Sequence, residues 1–335
     1  MKKLILFTCA LTLCFVTSCE TESIDSVNQE PTNASNLRKG VKTGNSVYVS
    51  SNTSGILGIY NIENGSSRMI GLPYADADGV VYDGSRDAIY HVNRSDSKLV
   101  ALSNISNTMG GDMAMPTAMG PSTFTNGREA TFYNNKVVVV DDVTPGKLIS
   151  YHVNTRQIND FRQYNVGFEV WGIQATGKDL WAIEDVSNIL AYFENFHNAP
   201  SGDLPATSEV AIEGLVRTHG LNYDEASDIM VLTDIGSAGS PDDGALVVIT
   251  DFKNKFMQAG DGGTISLSDQ IRIEGDLTQL GNPVDVVVRA QEGAIYVAER
   301  AQQKFLVFDI PSDNCNCEPT HSHDFPGASA ITTDF

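Results

Sequence analysis

A repeated pattern of short apolar strands limits the possible folds of this chain more than any other feature. Each copy has a short strand, a turn with Asp, Gly or Asn, a strongly apolar strand ending in a polar residue, and a further apolar strand. The copies begin at Asp78, Arg128, Val170, His219 and Val284, with starts roughly 42 to 65 residues apart. This period is typical of four-stranded sheets arranged radially. The sequence therefore predicts an all-β chain with a β-propeller fold.

The two ends of the repeat region complete each other. The segment NSVYVSSNTSGILGIYNI, from Asn45, matches only the second half of the repeat, and GASAITTDF, from Gly327, matches only its first half. A C-terminal inner strand beside N-terminal strands would make a composite blade and leave no sheet edge exposed. We therefore expect six four-stranded blades over 45–335. Five or seven blades stay open, because the interval 234–284 is long and poorly matched. No segment shows a helical period.

The first residues, MKKLILFTCALTLCFVTSC, combine two lysines with a short apolar run, which predicts a secretory signal over 1–19. The end of this run, Val16 to Cys19, resembles a bacterial lipobox, and that resemblance implies a lipid on Cys19. The acidic residues that follow resemble the surface-export signals of Bacteroidota lipoproteins. An ordinary cleaved signal with an incidental cysteine is the alternative interpretation.

Residues 20–44 are rich in Ser, Asn, Thr and Glu and have almost nothing apolar to bury. Such a segment cannot offset its own ordering entropy, so it predicts a flexible tether. A tether behind a lipid anchor would hold a soluble domain at the outer membrane or cell surface, with the anchor as the only contact with the membrane.

The formal net charge of -20 argues against nucleic acid or anionic lipid as a partner. We expect a monomer that binds a small molecule, a glycan or a protein. Once the signal is removed and Cys19 is lipidated, Cys315 and Cys317 are the remaining thiols, too few for a disulfide framework.

The phrase IYVAERAQQKFLVFDI, which ends at Ile310, resembles the repeat of NHL-type propellers. It is also similar to the wider group of six-bladed gluconolactonase and senescence-marker-type hydrolases. The lactonase resemblance implies a divalent cation in the central channel, held by a Glu of an early blade and by an Asn and an Asp of later blades. The Glu-Gly-Pro phrase that opens those propellers is absent here, so no catalytic residue is assigned by the resemblance.

In a propeller, inner strands begin and second strands end on the same face, around the central channel. The polar residues predicted at these points are Asp78, Asn93, Arg94, Glu129, Asp142, Glu169, Glu184, His219, Asp234, Asp285, Glu299 and Arg300. Converging carboxylates repel one another unless a cation or an arginine compensates them. This ring therefore predicts an acidic funnel that holds Ca²⁺ or a cationic ligand. The alternative is that each residue only caps its own turn.

Two tryptophans lie in one copy of the repeat. Trp181 alternates with apolar neighbours and is expected in the core. Trp171 begins an inner strand, where it would offer the channel mouth a stacking surface for a sugar or an aromatic group.

Near the C-terminus the segment CNCEPTHSHD places Cys315 and Cys317 in a turn and His321 and His323 on an outer edge strand. Residues two apart on a strand share a face, so these four residues predict a peripheral Zn²⁺ or copper site. A Cys315–Cys317 disulfide, or free polar residues on the edge, are the alternatives left open.

These features favour a lipid-anchored binding module over an enzyme. No Gly-x-Ser-x-Gly elbow, P-loop or dinucleotide fingerprint is present in the sequence. A metal-dependent hydrolase of lactonase type is the alternative, on the strength of the blade count and the acidic funnel.

Overall fold

A computed structural model describes residues 44–237 and 239–334 of the chain. They form six antiparallel sheets arranged as the blades of a β-propeller, which confirms the predicted fold and blade number. In chain order the strands are β1 (Ser46–Ser51), β2 (Ile56–Asn61), β3 (Ser67–Gly71), β4 (Ala77–Asp83), β5 (Ala88–Asn93), β6 (Lys98–Ser103), β7 (Ala118–Met119), β8 (Gly127–Tyr133), β9 (Lys136–Asp141), β10 (Lys147–Asn154), β11 (Gln157–Asn165), β12 (Val170–Thr176), β13 (Asp179–Glu184), β14 (Ile189–Phe193), β15 (Gly202–Asp203), β16 (Ser208–Ile212), β17 (Leu221–Asp224), β18 (Ile229–Asp234), β19 (Ala245–Thr250), β20 (Thr264–Ile265), β21 (Ile271–Glu274), β22 (Pro283–Arg289), β23 (Ala294–Glu299), β24 (Lys304–Asp309), β25 (His321–Asp324) and β26 (Ala328–Thr333).

The blades are numbered I to VI along the chain. Blade I contains β26, β1, β2 and β3, and blade II contains β4 to β7. Blade III is built from β8 to β11 and blade IV from β12, β13, β14 and β16, each with a short parallel fifth strand, β15 and β20 respectively. Blade V contains β17, β18, β19 and β21, and blade VI contains β22 to β25. The inner strands β26, β4, β8, β12, β17 and β22 contact one another in a closed ring around a central channel.

The ring closes through a composite blade, as the sequence predicted. Strand β26 pairs antiparallel with β1, and Ile331 lies opposite Val49. The closure is reinforced beyond the ladder, because the backbone N–H of Ser46 donates to the Asp334 carboxylate at 2.8 Å. The first and last strands of the propeller therefore belong to one sheet, and β1 is paired on both sides, with β26 and with β2.

One helix, α1 (Phe252–Ala259), corrects the expectation that no segment is helical. It lies in the long interval 234–284 that matched the repeat poorly. Phe252 and Phe256, one helical turn apart, are both buried against the core shared by blades IV and V. Eight residues are too short to reveal a period within so many apolar blocks. No helix among the described residues is long and apolar enough to cross a membrane.

The apolar core is divided among the interfaces between neighbouring blades. Within the described residues, each of the six interfaces has its own cluster of buried side chains. Trp181 is 3% exposed in the cluster between blades IV and V, as expected from its alternation with apolar neighbours. Because the core lies between blades, the inner strands are free to present polar side chains to the channel.

Candidate functional site

The inner strands present their side chains to the channel in layers that follow from strand register. Val80, Ala130, Ile173, Leu221, Val286 and Ile331 each lie opposite the fourth residue of the second strand of their blade. The residues just before these form a layer that we call the bolt layer: Gly79, Glu129, Gly172, Gly220, Asp285 and Ala330. The residues one step earlier form the mouth layer: Asp78, Arg128, Trp171, His219, Val284 and Ser329. The ladder is irregular between these layers in five blades, so consecutive residues reach the channel.

Four members of the bolt layer are Gly or Ala because neighbouring inner strands approach closely there. A Cβ atom on Gly79 would lie 2.5 Å from the Arg128 carbonyl oxygen, and one on Gly220 would lie 2.6 Å from the Asp285 Cα atom. Only blades III and VI extend longer side chains into this layer, namely Glu129 and Asp285. Blades III and VI are opposite one another in a ring of six.

Glu129 and Asp285 are hydrogen-bonded to each other within the channel. Burial raises the pKa of Asp285 to about 7 and raises the pKa of Glu129 well above its usual range, and each carboxyl also feels the charge of Asp78. Asp285 accepts hydrogen bonds from the backbone N–H groups of Val286 at 2.8 Å and Ile331 at 2.7 Å. These bonds favour the ionised form of Asp285, so the shared proton resides on Glu129.

Arginines in and beside the mouth layer compensate the carboxylates there. Arg128 Nε lies 3.2 Å from Asp142 Oδ2, and its Nη1 lies 3.7 Å from Asp78 Oδ2. Arg94 Nη1 lies 3.3 Å from Asp76 Oδ1 and 3.9 Å from Asp78 Oδ2. The predicted acidic ring is therefore a network of ion pairs on the side of blades II and III.

Trp171 lies in the mouth, as predicted, but both faces of its indole are already covered. The His219 ring stacks on it with centroids 3.7 Å apart and planes 2° from parallel, and the Arg128 guanidinium carbon lies 4.1 Å from its centroid. Two groups this close to one ring centre cannot share a face. Trp171 therefore joins blades III, IV and V through a cation–π contact and a ring stack, and does not present an open stacking surface.

Asp185 is a mouth residue that the sequence reasoning missed, because it named Glu184, the preceding residue. Arg217 donates to both carboxylate oxygens of Asp185 at 2.9 Å, and His219 Nε2 lies 3.5 Å away. Burial acts to raise the pKa of Asp185, but the close approach of His219 and the hydrogen bonds from Arg217 outweigh it and hold this pKa below its ordinary range. Burial lowers the pKa of His219. The pair therefore favours an ionised Asp185 beside a neutral imidazole.

Several predicted funnel residues lie at turns and bind their own loops. Glu299 is fully buried and accepts backbone N–H groups from Gly281, Asn282, Ala301 and Gln302. Asp234 is bound by the N–H groups of Val216, Arg217 and Gly236. Asn93 pairs with both the backbone and the carboxylate of Asp96. The polar atoms of these three side chains are therefore engaged in holding the loops.

The remaining candidates are more peripheral. Glu169 accepts a hydrogen bond from the Thr144 hydroxyl, and burial together with the nearby charge of Glu209 raises the pKa of Glu184. Burial raises the pKa of Asp76, and the exposed Arg300 lies close enough to oppose that rise. The structure brings Glu129, Asp285 and Asp78 together at the channel axis. Glu169, Glu184 and Arg300 lie at the edge of the channel.

A cavity within the channel opens at the other end, where the inner strands finish. It has a volume of about 590 Å³ and extends from Glu129 and Asp285 to a rim that includes Asp224, Glu225 and Arg289. No residue of the mouth layer lines it. The channel is therefore accessible from the face opposite the one that the sequence favoured.

Polar side chains in the wall of this cavity link successive inner strands. The Thr131 hydroxyl accepts from the Ala175 N–H at 2.9 Å, Gln174 bonds both backbone groups of Tyr223, and Asn222 accepts from the Val288 N–H at 3.0 Å. These bonds join blades III to IV, IV to V and V to VI. The cavity wall is therefore held by direct hydrogen bonds rather than by packing alone.

The C-terminal cluster lies on the outer side of blade VI, as predicted. Its cysteines are in the segment between β24 and β25, and its histidines are on β25. Cys315 and Cys317 form a disulfide, one of the alternatives left open by the sequence. His321 and His323 are exposed on β25 with ring centroids 6.4 Å apart. Disulfide sulfurs are not thiolate ligands, and among the described residues no group of three or more His, Cys, Asp and Glu is arranged to hold a metal. A zinc or copper site here stays a prediction for the reduced protein.

Comparison with known protein families finds no match, and comparison with curated proteins finds none either. Solved structures do match. One is the crystal structure of a nidogen–laminin complex, with a TM-score of 0.62 and 11% identity over 87% of this chain and 99% of that chain. Another is a Bacteroides fragilis protein proposed to be a 6-phosphogluconolactonase, with a TM-score of 0.58 and 10% identity over 87% of this chain and 98% of that chain. At these identities the similarity shows the β-propeller fold.

Proposed function

We propose that this chain is an exported, lipid-anchored binding module whose ligand enters the central channel from the end where the inner strands finish. The observation that carries the proposal is the cavity of about 590 Å³ that extends inward to Glu129 and Asp285. Sites for small molecules have volumes of about 300–1,000 Å³ and a few polar groups that converge on the ligand. This cavity has both properties, with hydrogen-bonded walls that are formed before a ligand arrives.

The charge of the cavity favours a cationic ligand, and Ca²⁺ is the simplest candidate. The pair Glu129 and Asp285 lies at the inner end, and Asp224 and Glu225 stand at the rim with one arginine, Arg289. A hard cation beside Glu129 and Asp285 would displace the shared proton, because both carboxylates could then be ionised without repelling each other. The charge of Asp78 would add to that attraction.

Binding is tested with Ca²⁺ as the probe, by thermal unfolding with and without the ion. We expect Ca²⁺ to raise the melting temperature of the wild type and to have no effect on a Glu129→Gln, Asp285→Asn double variant. Asp242→Asn, which alters an exposed acidic residue away from the channel, is the matched control and should respond like the wild type. A wild type that does not respond to Ca²⁺ or to a chelator would remove the cation from the proposal.

The anchor rests on the sequence alone, because Cys19 and residues 20–43 of the tether lie outside the described residues. The first strand begins at Ser46, so the tether would join the lipid directly to blade I. Intact mass spectrometry of the membrane-bound protein should show a diacylglycerol-bearing chain that begins at Cys19. A Cys19→Ser variant should leave the membrane fraction, and a mature chain without lipid would contradict the anchor.

A metal-dependent lactonase is the second candidate. Its support is the similarity to the protein proposed to be a 6-phosphogluconolactonase, together with two carboxyl groups at the inner end of the cavity that could serve as metal ligands. Glu129 and Asp285 would hold the metal, which would polarise the lactone carbonyl. Lactone hydrolysis is measured with Ca²⁺, Mn²⁺ and Zn²⁺. Turnover that is lost in Asp285→Asn and retained in Asp242→Asn favours the enzyme, whereas no turnover by the wild type favours the binding module.

A further inference from the structure

Four of the eight methionines of this chain lie within eleven residues, on the segment that leads into strand β7. The side chains of Met109, Met113, Met115 and Met119 are 64%, 55%, 63% and 55% exposed. An isolated exposed apolar residue is ordinary, but methionine is usually buried, and these four are not used by the core. The segment lies on the outer surface between blades I and II, away from the channel and from the C-terminal cluster.

The backbone that carries these methionines is held in place by hydrogen bonds. A turn runs from Met109 to Asp112, where the Asp112 N–H donates to the Met109 carbonyl at 3.1 Å and the Asp112 carboxylate accepts the Met109 N–H at 3.2 Å. The turn is then attached to the edge of β3. Gly111 N–H donates to the Met69 carbonyl at 2.9 Å, and Gly71 exchanges bonds with Asp112 and Ala114 at 2.7 and 2.9 Å.

This arrangement places the Cα atoms of three methionines in one short stretch of the surface. Ala114 is buried in the core between blades I and II, so its neighbours Met113 and Met115 point away from that core. In an extended segment, residues two apart share a face with Cα atoms about 7 Å apart. The turn returns Met109 to the same region, because the ends of a β-turn lie within about 7 Å. Each methionine has three rotatable bonds, so the sulfurs can converge from these positions.

We propose that Met109, Met113 and Met115 form a binding site for a soft monovalent cation of the Cu(I) type. Thioether sulfur is a soft ligand that selects Cu(I) over hard or borderline divalent ions. Three neutral ligands leave the charge of the ion uncompensated, which favours a monovalent over a divalent cation. The net charge of -20 on the chain attracts cations to its surface. A thioether has no proton to lose, so the affinity of this site does not depend on a ligand pKa.

The site is tested on the full chain with Ag⁺, which has the same closed shell as Cu(I) and is stable in air. Methionine is labelled with ¹³C in its methyl group, and the signals are assigned with single Met→Leu variants. We expect the signals of Met109, Met113 and Met115 to shift together and to saturate. Met257, which is 71% exposed and is the one methionine of α1, should not move. Equal shifts at Met257, or no shift at the three residues, would overturn the proposal.

The Ag⁺ affinity of Met→Leu variants distinguishes this site from other soft ligands in the chain. Leucine keeps the volume and apolar character of methionine, so Met113→Leu, Met115→Leu should fold like the wild type. We expect its Ag⁺ affinity at this site to fall by more than the roughly 10- to 100-fold that follows from disturbing the outer shell of a metal. Met257→Leu is the matched control and should bind like the wild type. Wild-type affinity in the double variant would overturn the proposal.

The dependence on pH gives an independent measurement. Cysteine and histidine ligands must lose or lack a proton, so their metal sites weaken in acid. The saturation of the Met113 and Met115 methyl signals should be the same at about pH 5 as at about pH 7. A site that empties at the lower pH would depend on titrating ligands, and that result would contradict a site of three thioethers.

Discussion

The Glu129 carboxyl group of blade III is hydrogen-bonded to the Asp285 carboxylate of blade VI, across the central channel. The two blades are opposite in the ring, so this bond spans the channel and closes the inner end of the cavity. It can form because the other four members of the bolt layer are Gly or Ala, which lets the inner strands come close enough for two side chains to meet. The same bond separates the open cavity from the ion pairs of the mouth layer.

Replacing Glu129 by Gln should make stability less dependent on pH. The folded chain holds the shared proton above the pKa of free carboxyl groups, so its stability falls as pH rises through the raised pKa values. The Gln amide can donate to Asp285 without titrating. Relative to wild type, Glu129→Gln should therefore gain stability between about pH 5 and about pH 8 in thermal unfolding. Glu63→Gln, at an exposed acid, serves as control, and parallel profiles for wild type and Glu129→Gln would contradict the shared proton.

Removing the Arg128 side chain should destabilise the mouth. Its guanidinium contacts Asp78, Asp142 and Trp171, and Arg128→Leu would leave the two mostly buried carboxylates with less compensation. We expect a loss of about 2–4 kcal/mol in urea unfolding. Arg128→Lys keeps the charge but loses the planar guanidinium, so its stability should lie between those of the wild type and Arg128→Leu. Arg156→Leu, at an exposed arginine, should stay within about 0.5 kcal/mol of wild type. If Arg128→Leu changed the stability as little as Arg156→Leu does, the ion pairs of Arg128 would contribute little to stability.

The sequence predicted the ring of blades and its closure because strand periodicity and blade length are local properties. It also named Glu129 and Asp285, but among many acids that it could not rank. These two differ from the other acids because they lie in the bolt layer. That layer exists because the ladder irregularity brings consecutive residues of an inner strand to the channel. Simple alternation along a strand does not include that irregularity.

The ion pairs that neutralise the carboxylates of the mouth could not be predicted from the sequence, for a different reason. Arg128 stands beside Glu129 in the sequence, but its partners Asp78 and Asp142 come from a neighbouring blade and from the end of another strand. Whether a carboxylate is free or bound by backbone N–H groups depends on loop conformation, as with Glu299. Neither property follows from residue type and spacing, so the sequence overestimated the acidity of this face.

Glu299 should prove to be a structural residue. Its carboxylate is fully buried and accepts four residues' backbone N–H groups, and Glu299→Ala would leave these donors without a partner. We expect a loss of roughly 3 kcal/mol or more in urea unfolding, since each unsatisfied buried donor costs about 1–3 kcal/mol. Glu299→Gln keeps one acceptor oxygen and should lose less, and Glu318→Ala is the exposed control. A stable Glu299→Ala variant that had lost its response to Ca²⁺ would instead give this residue a role in binding.

Adding a single methyl group in the bolt layer should disturb the bond across the channel. A Cβ atom on Gly220 would lie 2.6 Å from the Asp285 Cα atom and 3.1 Å from its Oδ1, so Asp285 must shift away from its present position. We expect Gly220→Ala to lose about 1–3 kcal/mol in urea unfolding. Gly84→Ala is the matched control, because its nearest neighbour would be the Tyr82 ring at 3.5 Å, an ordinary contact. If Gly220→Ala were as stable as Gly84→Ala and kept the pH profile of the wild type, the inner strands would not be as closely packed around Asp285 as this geometry requires.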